Sequence, residues 1–509
     1  MKPLSIAHVS SEMAPLAKVG GLGDVVSALA REQANRGHRV LVVVPRYRDL
    51  TIPKGWTVHE WGATRVPWGL GLEPARFQIA EDPTGTLRAL LVDHAGERRF
   101  FDRPGFYDDP STREGWPDNA ERFLFFARAA IEALKGFGET FDIIHAHDQQ
   151  AAWVPCFVRT HEADEPAFAD LATIYTIHNL GYQGIVDPWV LSVAGFSREL
   201  FFPQSPFEYW GRVNFMKVGI VFADLVSTVS PTYAREIQSS GEYGCGLEGV
   251  LRRRTGDLRG ILNGIDDTVW DPSRDPLVNA HYDRDHLEGK QANRRALALS
   301  CGFPLEPDWP IVGIVSRLVE QKGFDLIEEA ERELCDLHAR FVILGVGQPR
   351  YQDFFRRLAF ERPWQWHFAT AHDESLAHRI EAGSDLFLMP SRYEPCGLNQ
   401  LYSLRYGTVP VVRSTGGLAD TVREFDPITR EGNGFVFHEF ASEDMVMALR
   451  RALAVHAEGE LWEALQHNGM GQDFSWRAST DGYDRLYEEA LARISHGRVP
   501  TLETVRDSF

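Results

Sequence analysis

Cysteine is scarce in this sequence. Its five residues, Cys156, Cys245, Cys301, Cys335 and Cys396, are scattered and form no CxxC pair. That excludes a disulfide framework and a cysteine zinc site, and it fits a reducing compartment. Long apolar runs are missing too: none reaches the ~18 residues a membrane span needs. There is no basic excess. Lys and Arg number 53 against 72 Asp and Glu, a net charge of −19. Such a field repels phosphate backbones and anionic lipid, so neither nucleic acid nor a membrane surface is expected as a partner. An anionic small ligand then needs a local basic pocket. Low-complexity segments and short-period repeats are also absent. Met1-Lys2-Pro3 leads at once into the apolar run 4–9. This leaves no room for a signal or transit peptide and makes the cytoplasm the expected compartment.

What is present is an ordinary globular composition, 44% hydrophobic and 25% charged over 509 residues. At ~100–200 residues per domain that length predicts two to four domains, two of them large. Short apolar runs alternate with amphipathic stretches. Strands are expected at 4–9, 39–44, 87–92, 141–145, 171–177 and 224–229, with helices at 23–36, 118–135 and 208–222. A second series of strands is expected at 310–315, 339–344, 365–369, 385–389 and 408–413. Leu41-Val42-Val43-Val44 and Ile311-Val312-Gly313-Ile314-Val315 are apolar on both faces, the mark of parallel strands covered on both sides. The alternation predicts a doubly wound α/β architecture. The Pro- and Asp-rich stretch 271–285 reads as an interdomain connection. The expected domains are 1–265 and 266–475, with a helical segment, 476–509, that could pack back on the first.

Several motifs sit where an α/β sheet binds ligands, just after a strand and before a helix. Lys18-Val19-Gly20-Gly21-Leu22-Gly23-Asp24-Val25 puts three glycines and a lysine ahead of a helix. Close backbone approach, helix N–H groups and a mobile cation all suit an anion. The plainer alternative is a tight turn with a solvated lysine. His145-Ala146-His147-Asp148 admits three readings: packed strand-end histidines, a metal pair, or an Asp148 tip that binds sugar hydroxyls. The first is favoured over metal, because further ligands at a suitable spacing are missing. Thr176-Ile177-His178-Asn179 supplies a similar polar tip. Arg317 and Lys322 share one loop before a helix, which suits a diphosphate clamp or, more plainly, a solvated basic loop. Glu394-Pro395-Cys396-Gly397-Leu398 and Ser414-Thr415-Gly416-Gly417-Leu418 open two further helices. Asp283-Arg284-Asp285 matches a metal-binding DxD, but an aspartate capping the next helix explains it.

These motifs, in this order, resemble the bacterial glycogen synthase and plant starch synthase family. The resemblance is carried by residues 18–25, 145–148, 176–184 (TIHNLGYQG), 260–272 (GILNGIDDTVWDP), 316–323, 391–398 (SRYEPCGL) and 410–421 (PVVRSTGGLADT). It implies the GT-B fold, two Rossmann-like doubly wound domains facing a deep interdomain cleft. It also implies transfer of glucose from ADP-glucose to the nonreducing end of an α-1,4-glucan such as glycogen, with retention at C1 and with no metal or other cofactor. Carried over by position, Lys18, Gly20 and Gly21 would contact donor phosphate. Arg317 and Lys322 would neutralise the leaving diphosphate, helped by the backbone of Thr415, Gly416, Gly417 and Leu418. Glu394, with Cys396, Gly397 and Leu398, would bind the donor sugar. Asp148 and His178 would hold the glucose at the reacting centre, and Gly345 and Gly347 would line the nucleotide site.

Three departures from the family pattern stand out. Gln149-Gln150 follow Asp148 where the family commonly has Trp and often His, which bears on the acceptor. Tyr402 stands where the wider retaining clan has a second Glu, as is usual in this branch. His372 replaces the aromatic, often Tyr, that stacks on the base. Two other functions compete: another nucleotide-sugar enzyme, such as a UDP-glucose-using transferase or an epimerase, and a non-catalytic glucan-binding protein. Glu394 and Asp148 are the only candidates for a covalent nucleophile, and the resemblance gives both binding roles. The expected mechanism is therefore same-face attack through an oxocarbenium-like transition state, with the leaving phosphate accepting the acceptor's proton.

Overall fold

The computed structural model describes residues 2–112, 114–371 and 373–496. The chain divides into two compact units. Of the described residues, one takes those up to Val229, Ala234–Ile261 and 476–496; the other takes Ser230–Tyr233 and Leu262–Ser475. No helix among the described residues is long and apolar enough to cross a membrane.

The first unit is built on a nine-stranded sheet. Its strands are β1 (Ser5–Val9), β2 (Arg39–Pro45), β3 (Thr57–Trp68), β4 (Gly71–Glu81), β5 (Arg88–His94), β6 (Ile143–His147), β7 (Ala172–Ile177), β8 (Leu225–Thr228) and β9 (Leu258–Gly260). Their order is β9-β8-β7-β6-β1-β2-β5-β4-β3. From β9 to β5 all neighbours are parallel. The run Leu41-Val42-Val43-Val44 is wholly buried on both faces, as a strand covered on both sides requires. Helix Gly21–Asn35 and the final helix, Trp476–Ser495, pack side by side on one face. There Val25, Leu29, Trp476, Tyr483, Leu486 and Tyr487 share a core with Ile6, Ile143, Ile174 and Leu225.

The antiparallel hairpin β3–β4 departs from the expected α/β series. Gly69, at φ +58°, opens its two-residue loop, the place a type II′ turn reserves for glycine. The expected helix 208–222 is shorter, Phe215–Phe222. Trp210 and Gly211 take positive φ, which no helix interior allows, and Asn214 starts the helix by accepting the Lys217 N–H at 3.1 Å. Asp283 does not cap the helix that follows it. That helix begins at Glu288, while Asp283 Oδ1 accepts the N–H groups of Asp285 and His286 in a turn upstream.

The second unit has six parallel strands: β10 (Ile311–Val315), β11 (Arg340–Leu344), β12 (Trp366–Ala369), β13 (Leu386–Met389), β14 (Val409–Arg413) and β15 (Phe435–Phe437). Their order is β12-β11-β10-β13-β14-β15. Alternate residues feed two separate cores. Val312, Ile314, Phe341, Ile343, Leu386 and Leu388 face one, and Ile311, Val342, Leu344, Phe387 and Met389 face the other. This is the two-faced burial that the apolar run at 311–315 predicts.

Candidate active site

Each sheet has one point where the strand order reverses. In the first unit the chain runs outward from β1 through β2 on one side and from β6 through β7 on the other. In the second it does so from β10 and β13. Loops leaving the carboxyl ends of such a strand pair diverge and leave a crevice, where open α/β sheets bind ligands. The loops leaving these four strands carry Lys18, Asp148, Arg317 and Glu394.

The loop after β1 leaves Lys18, Gly20 and Gly21 exposed. Lys18 Nζ lies 2.9 Å from Asp24 on the first turn of helix Gly21–Asn35, whose N-terminus no side chain caps. The loop is held from below by Glu12, which sequence reasoning missed. Buried Glu12 accepts the N–H groups of Val19 and Gly20 through Oε2, at 2.7 and 3.0 Å, and the Tyr107 hydroxyl through Oε1 at 2.7 Å. The N–H of Gly20, expected to face an anion, is therefore already bonded to a carboxylate, as is that of its neighbour Val19. An acidic residue within the strand-to-helix connection was the one sequence signal for this.

At the end of β6 the backbone turns sharply. Asp148 takes φ +54°, a left-handed conformation that aspartate tolerates better than most residues. Its Oδ1 accepts the His178 N–H at 2.8 Å, which ties the tip of β6 to that of β7. Burial pushes its carboxyl up to about 7 against the pull of the His178 and Asn179 N–H groups, and Glu12 adds to the rise. His178 is held neutral, with burial lowering it to about 3.

His145 and His147 join His8, on neighbouring β1, in the core. Their ring nitrogens come within 4.8 Å of one another, near enough for a metal ion. Every one of the six nitrogens, however, already has a protein partner: Gln33, His147 and His8 in turn, then His178, Tyr487 and Thr176. A metal would have to break this network, so the packed-histidine reading fits the geometry better. Gln149 leans over Gly184, which adopts φ +66°. With residues 181–185 and Cys245 it lines an open cavity of about 460 Å³.

In the second unit, Lys322 Nζ lies 2.6 Å from Glu394 Oε2, and Ser391 Oγ donates to the same oxygen at 3.0 Å. Glu394 is buried and Arg317 exposed. Glycines let the surrounding loops touch. A Cβ at Gly345 would meet the Ser316 carbonyl at 2.1 Å, and one at Gly347 the Leu318 carbonyl at 2.2 Å, so these two brace the Arg317 loop. A Cβ at Gly416, at φ +45°, would meet the Glu394 carbonyl at 1.9 Å. The Gly417 N–H donates to the Glu394 and Pro395 carbonyls, and the Leu418 N–H to the Thr415 carbonyl. Of these two N–H groups expected to assist a diphosphate, the first thus joins the Glu394 loop to the loop after β14 and the second closes a turn. Gly397 takes φ +72° against Gln400, while Cys396 is buried and its thiol is pushed up to about 12 by burial. Tyr402 stacks on Trp270 at 3.8 Å. His372 lies outside the described residues.

Two doubly wound sheets, each with a cation and a carboxylate on the loops at its switch point, have the layout of a GT-B glycosyltransferase, the class to which the chain's relatives assign it. The sequence profile described as the starch synthase catalytic domain matches residues 5–253, and that of group 1 glycosyl transferases matches 303–469. The chain is 45% identical to a glycogen synthase of Koribacter versatilis, covering 96% of this chain and 98% of that one. A glycogen synthase of Anaeromyxobacter is 44% identical over 96% and 100%. The catalytic domain of starch synthase IV from Arabidopsis thaliana, solved bound to ADP and acarbose, superposes with TM-score 0.88 at 34% identity, covering 97% and 100%. Sucrose-phosphate synthase from Thermosynechococcus elongatus, at 19% identity and TM-score 0.59 over 96% and 99%, shares the fold. This chain belongs to the glycogen synthase and starch synthase family.

Proposed function

We propose that this glycosyltransferase is a glycogen synthase that moves glucose from ADP-glucose to the nonreducing end of an α-1,4-glucan, with retention at C1. The observation that carries the reading is the Lys322–Glu394 pair, a cation and a carboxylate 2.6 Å apart on loops leaving adjacent strands. A protein that only bound glucan would need no such cation. A transferase needs positive charge where the diphosphate leaves and a carboxylate for the sugar hydroxyls.

In this reading Arg317 and Lys322 neutralise the departing diphosphate, Lys18 and the exposed Gly20 and Gly21 contact donor phosphate, and Glu394 accepts sugar hydroxyls. Asp148 and His178 hold the glucose. Glu394, braced by Lys322 and Ser391, suits a fixed acceptor better than a nucleophile, which supports same-face attack with the leaving phosphate taking the acceptor's proton. Adenine as the base is supported by the pairing of KxGGLGDV with EPCGL and by the relative solved with ADP.

The test measures nucleoside diphosphate release and kcat/KM for ADP-glucose and UDP-glucose, with and without glycogen. Release of ADP that depends on glycogen, with higher kcat/KM for ADP-glucose, is expected. Higher efficiency with UDP-glucose overturns the donor assignment, and no release from either overturns the enzyme reading.

A further inference from the structure

Gln33 lies in the last turn of helix Gly21–Asn35 with no exposed surface. A glutamine so deeply buried needs partners for both ends of its amide. Its Oε1 meets His8 Nε2 at 2.7 Å and its Nε2 donates to the Tyr487 hydroxyl at 3.0 Å. From His8 the contacts continue in one line. His8 Nδ1 meets His147 Nε2 at 3.0 Å, and His147 Nδ1 meets His178 Nε2 at 3.0 Å. His8 and His147 are wholly buried, whereas His178 is only half-buried, beside Asp148.

A neutral imidazole carries one N–H, so it donates from one nitrogen and accepts at the other. Rings joined nitrogen to nitrogen must therefore all point the same way, and reversing one reverses the rest. An amide oxygen only accepts. With Oε1 of Gln33 against it, His8 must hold its proton on Nε2. His8 Nδ1 then accepts from His147 Nε2–H, and His147 Nδ1 accepts from His178 Nε2–H. Burial keeps these rings neutral, the condition for the argument. The other arm of the amide runs in a consistent sense. The Tyr487 hydroxyl donates to His145 Nδ1 at 2.8 Å, His145 Nε2 to Thr176 Oγ1 at 2.5 Å, and Thr176 to Ser227 Oγ at 2.5 Å.

We propose that Gln33 is a positioning residue for glucosyl transfer: through His8 and His147 its amide fixes His178 as the Nε2–H tautomer, so that His178 Nδ1 presents a lone pair to a hydroxyl of the bound sugar. The proposal rests on the reading that His178 contacts the glucose. Gln33 itself touches no substrate and acts through two intervening rings. A ring with the wrong tautomer would offer a donor where an acceptor is needed, a substitution that catalytic histidines tolerate poorly.

The test is a long-range ¹H–¹⁵N correlation spectrum of the full chain labelled with ¹⁵N-histidine at neutral pH, with His178 assigned by comparison with His178→Asn. The wild-type protein should show His8, His147 and His178 protonated on Nε2. Gln33→Met, which removes both arms of the amide at similar volume, should give His178 as a mixture of tautomers and lower kcat on glycogen about tenfold, the order of one weakened hydrogen bond. Tyr487→Phe keeps the ring but loses the hydroxyl that orients the amide, and should shift the His178 population in the same direction. It serves as the second variant where Gln33→Met fails to fold. Wild-type His178 with its proton on Nδ1, or a folded Gln33→Met that keeps a pure Nε2–H tautomer, overturns the proposal. So does a mixed tautomer with unchanged kcat. The spectra require no turnover, so a protein that transfers no glucose but shows the expected tautomers refutes the functional reading and leaves the relay standing.

Discussion

Asp148 joins three properties in one side chain: a left-handed backbone, partial burial and a carboxyl pushed up to about 7. If the carboxylate receives a sugar hydroxyl, only its ionised form works, and kcat/KM should rise through about pH 7. Asp148→Asn should lose most activity and flatten that rise. Its effect on stability has the opposite sign. A carboxyl whose pKa is raised by folding destabilises the native state progressively as pH rises from its ordinary value toward 7, after which the cost is constant. Asparagine tolerates the same φ and carries no charge. The Asp148→Asn variant should therefore gain more in Tm over wild type at pH 8 than at pH 5, measured by calorimetry. An equal difference at both values would mean the shift is not present. Asp148, His178, Lys322 and Glu394 were legible in the sequence because each lies at a strand end within a recognisable motif. Glu12 and Gln33 were not. Each acts on a partner brought to it by the fold, and a buried glutamine in a helix looks, in sequence, like a solvated one.

At the level of elements, the parallel strands were readable because burial on both faces leaves unbroken apolar runs. The hairpin β3–β4 was not. Most of β3 is exposed, and the register shifts between Glu60 and Gly62, so neither a continuous nor an alternating pattern survives. The sequence leaves the last described helix open to either half, with packing back on the first as one option, since an amphipathic stripe does not say which sheet it covers. In the structure Trp476, Tyr483, Leu486, Tyr487 and Ala490 complete the core of the first unit. At ~1.5–3 kcal/mol for each large side chain, four of them match the ~5–15 kcal/mol that a whole domain commonly has in hand. A chain ended after Ser475 should therefore lose the first unit, seen as loss of near-ultraviolet circular dichroism and rapid proteolysis within residues 5–260. Protection equal to that of the full chain would contradict this placement of the helix.

For the molecule as a whole, the histidine core makes stability depend on pH in a way that acidic composition alone would not suggest. Burial lowers His8 to about 4 and His178 to about 3, and it holds His145 and His147 well below the ordinary 6.5. His161 is lowered as well. A group with a depressed native pKa contributes stability that is present above its unfolded value and lost as pH falls toward the native one. Each proton taken up on unfolding costs about 1.4 kcal/mol per pH unit. Asp148 and Asp93 oppose this, because their native pKa values are raised. His161 and Asp93 are shifted in opposite senses, so the balance rests on His8, His145, His147 and His178 against Asp148, a net uptake of about three protons when the first unit unfolds below pH 6. Its stability should then fall by about 4 kcal/mol per pH unit between roughly pH 6 and pH 5. Scanning calorimetry from pH 8 to pH 4 should show the first unit's transition flat near neutrality and then dropping steeply, before the carboxylates reach their own range. His147→Gln, which removes one of the three net protons, should reduce that slope by about a third. A wild-type transition that holds its temperature down to pH 5 would mean that the buried histidines protonate without unfolding the unit, and the neutral network at its centre would have to be abandoned.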